Sequence, residues 1–210
     1  VDVIDEEAVE DISALAGVRD VDIDHDEESV ADTVRNRFPW LVVLLFVGFL
    51  TSIIIASFES TLNEVPILAM FLPLILNMSG NTGTQALAVT VRGISTNQFV
   101  DKKDVMEHLF REFKASVVNG LMLSVLVFFM ATIMGQFTGS GDLTFSLVIT
   151  VSVFIALVLA TLAGAIIPLF INALKIDPAV ASGPFITTIN DIISLTIYLT
   201  LATLFIVGLS

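Results

Sequence analysis

The sequence contains no cysteine, which excludes disulfides and thiolate-bound metals and leaves the redox compartment unread. Bases are scarce: 9 Lys and Arg stand against 22 Asp and Glu, for a net charge of −13. The acidic head, residues 1–37, repels the phosphates of nucleic acids and of anionic lipids, so neither suits it as a partner, whereas cations do. No Gly-rich phosphate loop of the Walker type occurs, so there is no nucleotide site and no ATP drive. The first residues, "VDVIDEEAVEDI", are acidic where a signal peptide is basic and then apolar. They also lack an initiating methionine, and we expect the chain to be part of a longer protein.

What the sequence has in abundance is apolar surface. Apolar residues make up 55% of it, and the mean hydropathy is +0.93. These values predict an all-α, polytopic membrane protein. Five stretches are long enough to cross a hydrocarbon core: Trp40–Phe58, Val65–Val91, Ala115–Thr138, Leu143–Leu174 and Pro178–Gly208. Each must be helical, because lipid offers no partner to open backbone groups. The charge is uneven. Residues 1–37 carry 13 acids and 3 bases, whereas the remaining residues carry 9 acids and 6 bases. We therefore divide the chain into an acidic, helical cytosolic segment, 1–36, and a five-helix membrane domain, 37–210.

The few bases set the orientation. Arg35 and Arg37 precede the first span, Arg92, Lys102, Lys103, Arg111 and Lys114 lie between the second and third, and Lys175 lies between the fourth and fifth. The connections 59–64 and 139–142 hold none. All membrane-flanking bases thus fall on one side, which the positive-inside rule makes cytoplasmic. The N-terminus is then inside and, after five crossings, the C-terminus outside. Between the second and third spans, Val105, Met106, Leu109, Phe110 and Phe113 recur with helical spacing. This predicts a short amphipathic helix, lying on the membrane surface or packed on protein.

Two spans carry polar stripes. In "LNMSGNTGTQALAV" Asn77, Gly80, Asn81, Thr84 and Gln85 share one helical face. In "FITTINDIISLTIYL" and the residues before it, Gly183, Thr187, Asp191, Ser194 and Tyr198 share another. Asp191 is the only charge in the fifth span, and a carboxylate at the bilayer centre costs about 2.5–3.5 kcal/mol. No Lys, Arg or His in any span could neutralise it. Oxygen ligands around one negative charge suit a hard cation. By contrast, Ser116 and Gly120, and Ala156, Ala160 and Gly164, have the small-xxx-small spacing of helix packing. The run Asp20, Asp22, Asp24, Asp26, Glu27, Glu28 lacks the glycine and terminal glutamate of an EF-hand and reads either as a solvated acidic run or as acids that a cytosolic divalent cation screens, holding the segment near the membrane domain. His25 and His108 have no second ligand at a convincing spacing and read as surface residues.

At these motifs the sequence resembles the membrane domain of the MgtE-type magnesium channels. The segments that carry the resemblance are "RFPWL", "FES", "NMSGNTGTQALAVTVRG" and "DPAVASGPFITTINDIISLTIYL". It extends from Arg37 to the C-terminus. The resemblance implies a homodimer in the lipid bilayer, with a pore on the two-fold axis lined by the second and fifth spans of both chains. It assigns the pore-ion carboxylate to Asp191, a pore-lining amide to Asn81, and backbone carbonyls to Thr187 and Gly183; Asn77 stands where the family often has a small residue. Asp177, in the Asp-Pro at the inner mouth, falls on a residue implicated in regulatory Mg²⁺ contacts. Ser79–Gly80 stand where the family often has two glycines, and Ser194 where it often has one. Residues 1–36 resemble the tail of a CBS motif and a shortened connecting helix. The expected function is passive, potential-driven entry of hydrated Mg²⁺ across the cell membrane, with Mg²⁺ as cargo and as regulatory ion. The alternative is a proton-coupled transporter that uses Asp191 as proton carrier. An intramembrane aspartyl protease needs two carboxylates sharing a proton; each chain offers one at depth, and we expect no enzyme.

Overall fold

The structure, a computed structural model, describes residues 29–139, 143–175 and 183–208. The acidic run, His25 and Asp177 lie outside the described residues. Those that are described form six α-helices: α1 (Val30–Ser57), α2 (Glu59–Glu64), α3 (Leu68–Ser95), α4 (Lys102–Thr138), α5 (Leu143–Ala173) and α6 (Gly183–Ala202), the last continued by a π-helical turn, Thr203–Val207. Local chemistry sets their ends. Ser29 caps α1 by accepting from the Asp32 N–H. The Asp104 carboxylate accepts from the Asp101 N–H at 3.0 Å and the Val100 N–H at 3.1 Å, which starts α4 with a reciprocal box. Gly139 ends α4 at φ +66°, a left-handed geometry that glycine adopts without strain. Pro184 stands in the first turn of α6, where its missing N–H leaves no helical bond unmade.

Among the described residues four helical segments are long and apolar enough to cross a membrane: α1, α4, α5 and Gly183–Ile206. The expected second span falls on α3. It has 28 residues, about 42 Å of helix, but Asn77, Ser79, Asn81, Thr82, Thr84 and Gln85 lower its hydropathy. The expected surface helix is not a separate element. Residues 102–114 continue without a break into the third span, giving a 37-residue helix of about 55 Å, well beyond a hydrocarbon core of about 30 Å.

The core lies where α3, α5 and α6 meet. Leu68, Ile75, Ile149, Tyr198 and Leu199 are all fully or almost fully enclosed there. α3 and α6 run antiparallel. The Tyr198 hydroxyl donates to the Leu68 carbonyl at 2.9 Å at one end, and Ile186 packs with Leu87 and Val91 at the other. α3 and α5 cross closely at paired glycines: a Cβ added to Gly164 would overlap the Gly83 backbone. α4 packs along α5, with Gly120 against Phe154 and Thr132 donating to Ser146 at 3.1 Å. Ser116, Ala156 and Ala160 are buried in these seams, as their small-residue spacing predicts. α1 touches chiefly α6 and buries none of its residues in the chain.

Candidate functional site

Asp191 sits mid-way along α6, half-buried. Its Oδ1 is fully enclosed and has no hydrogen-bond partner. A turn earlier, the Thr187 hydroxyl donates to the Gly183 carbonyl at 2.9 Å. That bond occupies one lone pair of the carbonyl and leaves the other. Across the helix pair, the close approach of α3 to this face is made by Gly80. A Cβ there would stand 2.8 Å from Thr187 Cγ2. The contact brings the Asn77–Asn81 edge of α3 alongside the Gly183–Thr187–Asp191 edge of α6.

On α3 the two amides are linked, with Asn81 Nδ2 donating to Asn77 Oδ1 at 3.0 Å. Both residues are exposed, as is Gln85 one turn on. Thr84 bonds back to the Gly80 and Asn81 carbonyls at 3.1 and 2.9 Å. Asn81 and Gln85 face, with Asn119, Met122 and Leu126 of α4, an open groove of about 790 Å³. Exposed amides on a helix of a membrane protein need protein, water or an ion opposite them. No cluster of three or more His, Cys, Asp or Glu occurs among the described residues. Asp191 is the only carboxylate on α3 and α6, and the other side-chain oxygens of the two edges belong to amides and hydroxyls.

The expected stripe on the fifth span divides in two. Gly183, Thr187 and Asp191 stay on the partly open side, whereas Ser194 and Tyr198 are fully buried. They belong instead to a line of buried residues that also holds Ile186, Asn190 and Ala202. Asn190 is the residue that sequence reasoning missed. It is completely enclosed, and neither its oxygen nor its nitrogen has a partner. It wedges against Gly83, where any Cβ would overlap its amide. The signal was present in the spacing: Asn190 lies four residues before Ser194 and eight before Tyr198. His108 is the second correction. It is not at the surface but buried between α3 and α4, bonded to Thr90 and Arg111.

Residues 72–201, more than half of the chain and including both polar edges, match the family described as "MgtE: Divalent cation transporter". The chain belongs to the MgtE family. Three relatives carry the name "Magnesium transporter MgtE". That of Bacillus subtilis is 42% identical over 98% of this chain and 44% of its own length. That of Enterococcus faecalis is 39% identical over 98% and 43%, and that of Thermus thermophilus 34% identical over 97% and 44%. The chain thus spans less than half the length of the MgtE relatives it matches, and those relatives are named as transporters, not as enzymes.

Proposed function

We propose that this chain is the membrane-crossing part of a magnesium transporter, and that it conducts hydrated Mg²⁺ passively along a path formed where two copies meet. The observation that carries the reading is Asp191: a carboxylate in mid-helix with an enclosed and unpartnered oxygen, one turn after Thr187, which Gly80 of the edge bearing the exposed amides Asn77 and Asn81 meets. A second copy facing the α3 edge would shield those amides from lipid and bring two Asp191 carboxylates to one axis. Empty, such a pair repels itself; a divalent ion relieves both charges at once.

Mg²⁺ sheds water reluctantly and prefers octahedral oxygen coordination. We therefore assign Asp191 the role of attracting the hydrated ion. Asn81, Asn77 and the carbonyls of Thr187 and Gly183 bond to its waters, and Asp177 makes regulatory Mg²⁺ contacts. The driving force is the membrane potential: a divalent charge crossing 100 mV gains about 4.6 kcal/mol, twice the value for one charge. In this reading α3 crosses as a fifth span, its polar edge turned to the path. The N-terminus lies on the cytoplasmic side of the cell membrane and the C-terminus outside.

The test is Mg²⁺ flux into liposomes holding the chain, at fixed voltage, with Mn²⁺, Co²⁺ and Ca²⁺ as competitors. Uptake that follows voltage and saturates with Mg²⁺ is expected. Uptake that instead needs a pH gradient at fixed voltage would replace the passive path with proton coupling at Asp191.

A further inference from the structure

His108 lies on the first turns of α4, ahead of the uncharged stretch that begins at Ala115, and is 3% exposed. Its ring is gripped on both sides. Nδ1 is 3.1 Å from Arg111 Nη2, and Nε2 is 2.9 Å from the Thr90 hydroxyl of α3. A guanidinium only donates, so Nδ1 must accept and the single ring proton sits on Nε2. The imidazole then donates to Thr90, whose own proton goes to the Ala86 carbonyl at 2.8 Å. The bonds run one way, Arg111 to His108 to Thr90 to Ala86. Phe99, from the α3–α4 connection, closes the site with its ring 4.9 Å from the imidazole, and it fills the space over Gly93.

A second proton cannot be accommodated in this arrangement. Nδ1–H would point at the Arg111 N–H, placing two cations in contact and breaking the first link of the chain. We propose that neutral His108 is a positioning residue that clamps the Thr90 end of α3 to α4, and that acid on this side of the membrane releases the clamp and lowers cation flux. The flux half of the proposal rests on the transport reading above. α3 runs without interruption from Thr90 back to Asn81 and Asn77. A loosened end therefore shifts those amides relative to Asp191.

The surrounding charges fit. Burial pushes the His108 pKa below its ordinary value of 6.5; Glu112 opposes that shift and Arg111 adds to it. Among the described residues, α3 offers only Arg92, which is exposed, the connection only Asp101, also exposed, and α5 no ionisable group. The clamp is complete above the ordinary histidine value and is lost as pH falls through the lowered one.

Two measurements test this. In the first, Mg²⁺ flux through the full chain in liposomes is followed while the pH on the α3–α4 side falls from about 7.5 to about 5, the range in which histidine titrates. Wild-type flux is expected to fall several-fold. The His108→Gln variant, whose amide can accept from Arg111 and donate to Thr90 but cannot titrate, is expected to hold level. A flat wild-type profile, or a His108→Gln profile that falls like the wild type, overturns the proposal. The second needs no transport. The chain has two histidines, so His25→Ala leaves His108 as a single ring for NMR titration. The Nε2–H tautomer titrating below 6.5 is expected. An Nδ1–H tautomer, or titration at or above 6.5, overturns the clamp. No flux from any variant, alongside the expected titration, would count against the transport reading while the clamp stood.

Discussion

Asp191 and Asn190 are neighbours in the chain and face different ways on α6. One is open on one side; the other is sealed in the core with both amide atoms unpaired. Their substitutions should therefore separate. Asp191→Ala is expected to reduce Mg²⁺ uptake to that of protein-free liposomes while the protein elutes and melts as before. Asp191→Asn, which keeps the shape and removes the charge, is expected to lose most of it. Undiminished uptake in Asp191→Ala would remove this residue from the path. Gly83 and Asn190 make a second pair. Gly83→Ala forces a methyl group into the Asn190 amide, an overpacking that costs about 1–3 kcal/mol. Asn190→Ala removes that amide, so the double variant should recover most of the loss; equal melting points for Gly83→Ala and the double variant would show that the two do not touch. Asp191 was legible in the sequence because a lone charge in an apolar run has few innocent explanations. Asn190 was legible only through its spacing to Ser194 and Tyr198, and His108 was not. Successive helical residues point about 100° apart, so the character of Asp191 said nothing about Asn190. His108 is buried by Thr90 of α3 and Phe99 of the α3–α4 connection, which its own spacing does not reveal.

At the scale of elements, one period decides where the α6 stripe fails. The buried line Ile186, Asn190, Ser194, Tyr198 and Ala202 steps by four, so on a helix that turns every 3.6 residues it drifts about 40° per step and sweeps across the face that carries Gly183, Thr187 and Asp191. Gly183, Thr187 and Asp191 keep to one edge, but Ser194 and Tyr198 follow Asn190 into the core. Tyr198 then does a structural job. Its hydroxyl donates to the Leu68 carbonyl and pins the far ends of α3 and α6 together. Tyr198→Phe should leave the fold intact and lower stability by about 1 kcal/mol, the usual worth of one such bond. A loss of several kcal/mol would mean that the hydroxyl serves more than Leu68. Helix type and the small-residue seams were plain from composition, since an apolar chain in lipid has few alternatives to helix. The continuity of α4 was not. Its charged first turns and apolar remainder differ in composition, yet neither proline nor glycine stands at the junction, so nothing breaks the helix there.

For the whole molecule, the question is how many of these helices cross. Hydropathy singles out four segments, and α3 is left out because of the amides proposed to line the path. The two readings differ in parity. With α3 crossing, the α2 turn and the α3–α4 connection lie on opposite sides of the membrane; with α3 lying along the surface, they share one side. The bases favour a crossing: Arg92, Lys102 and Lys103 flank the connection, and residues 59–64 carry none. The absence of native cysteine makes the test clean, since each introduced thiol is the only one in the chain. Asn63 and Gln98 are both exposed and sit in these two places. In sealed, oriented vesicles, a membrane-impermeant thiol reagent should label Asn63→Cys from the outside alone and Gln98→Cys only after the membrane is opened. Labelling of both from one side would remove α3 from the membrane. The Asn81 edge would then lie away from bilayer depth, and a path through the two polar edges would no longer exist.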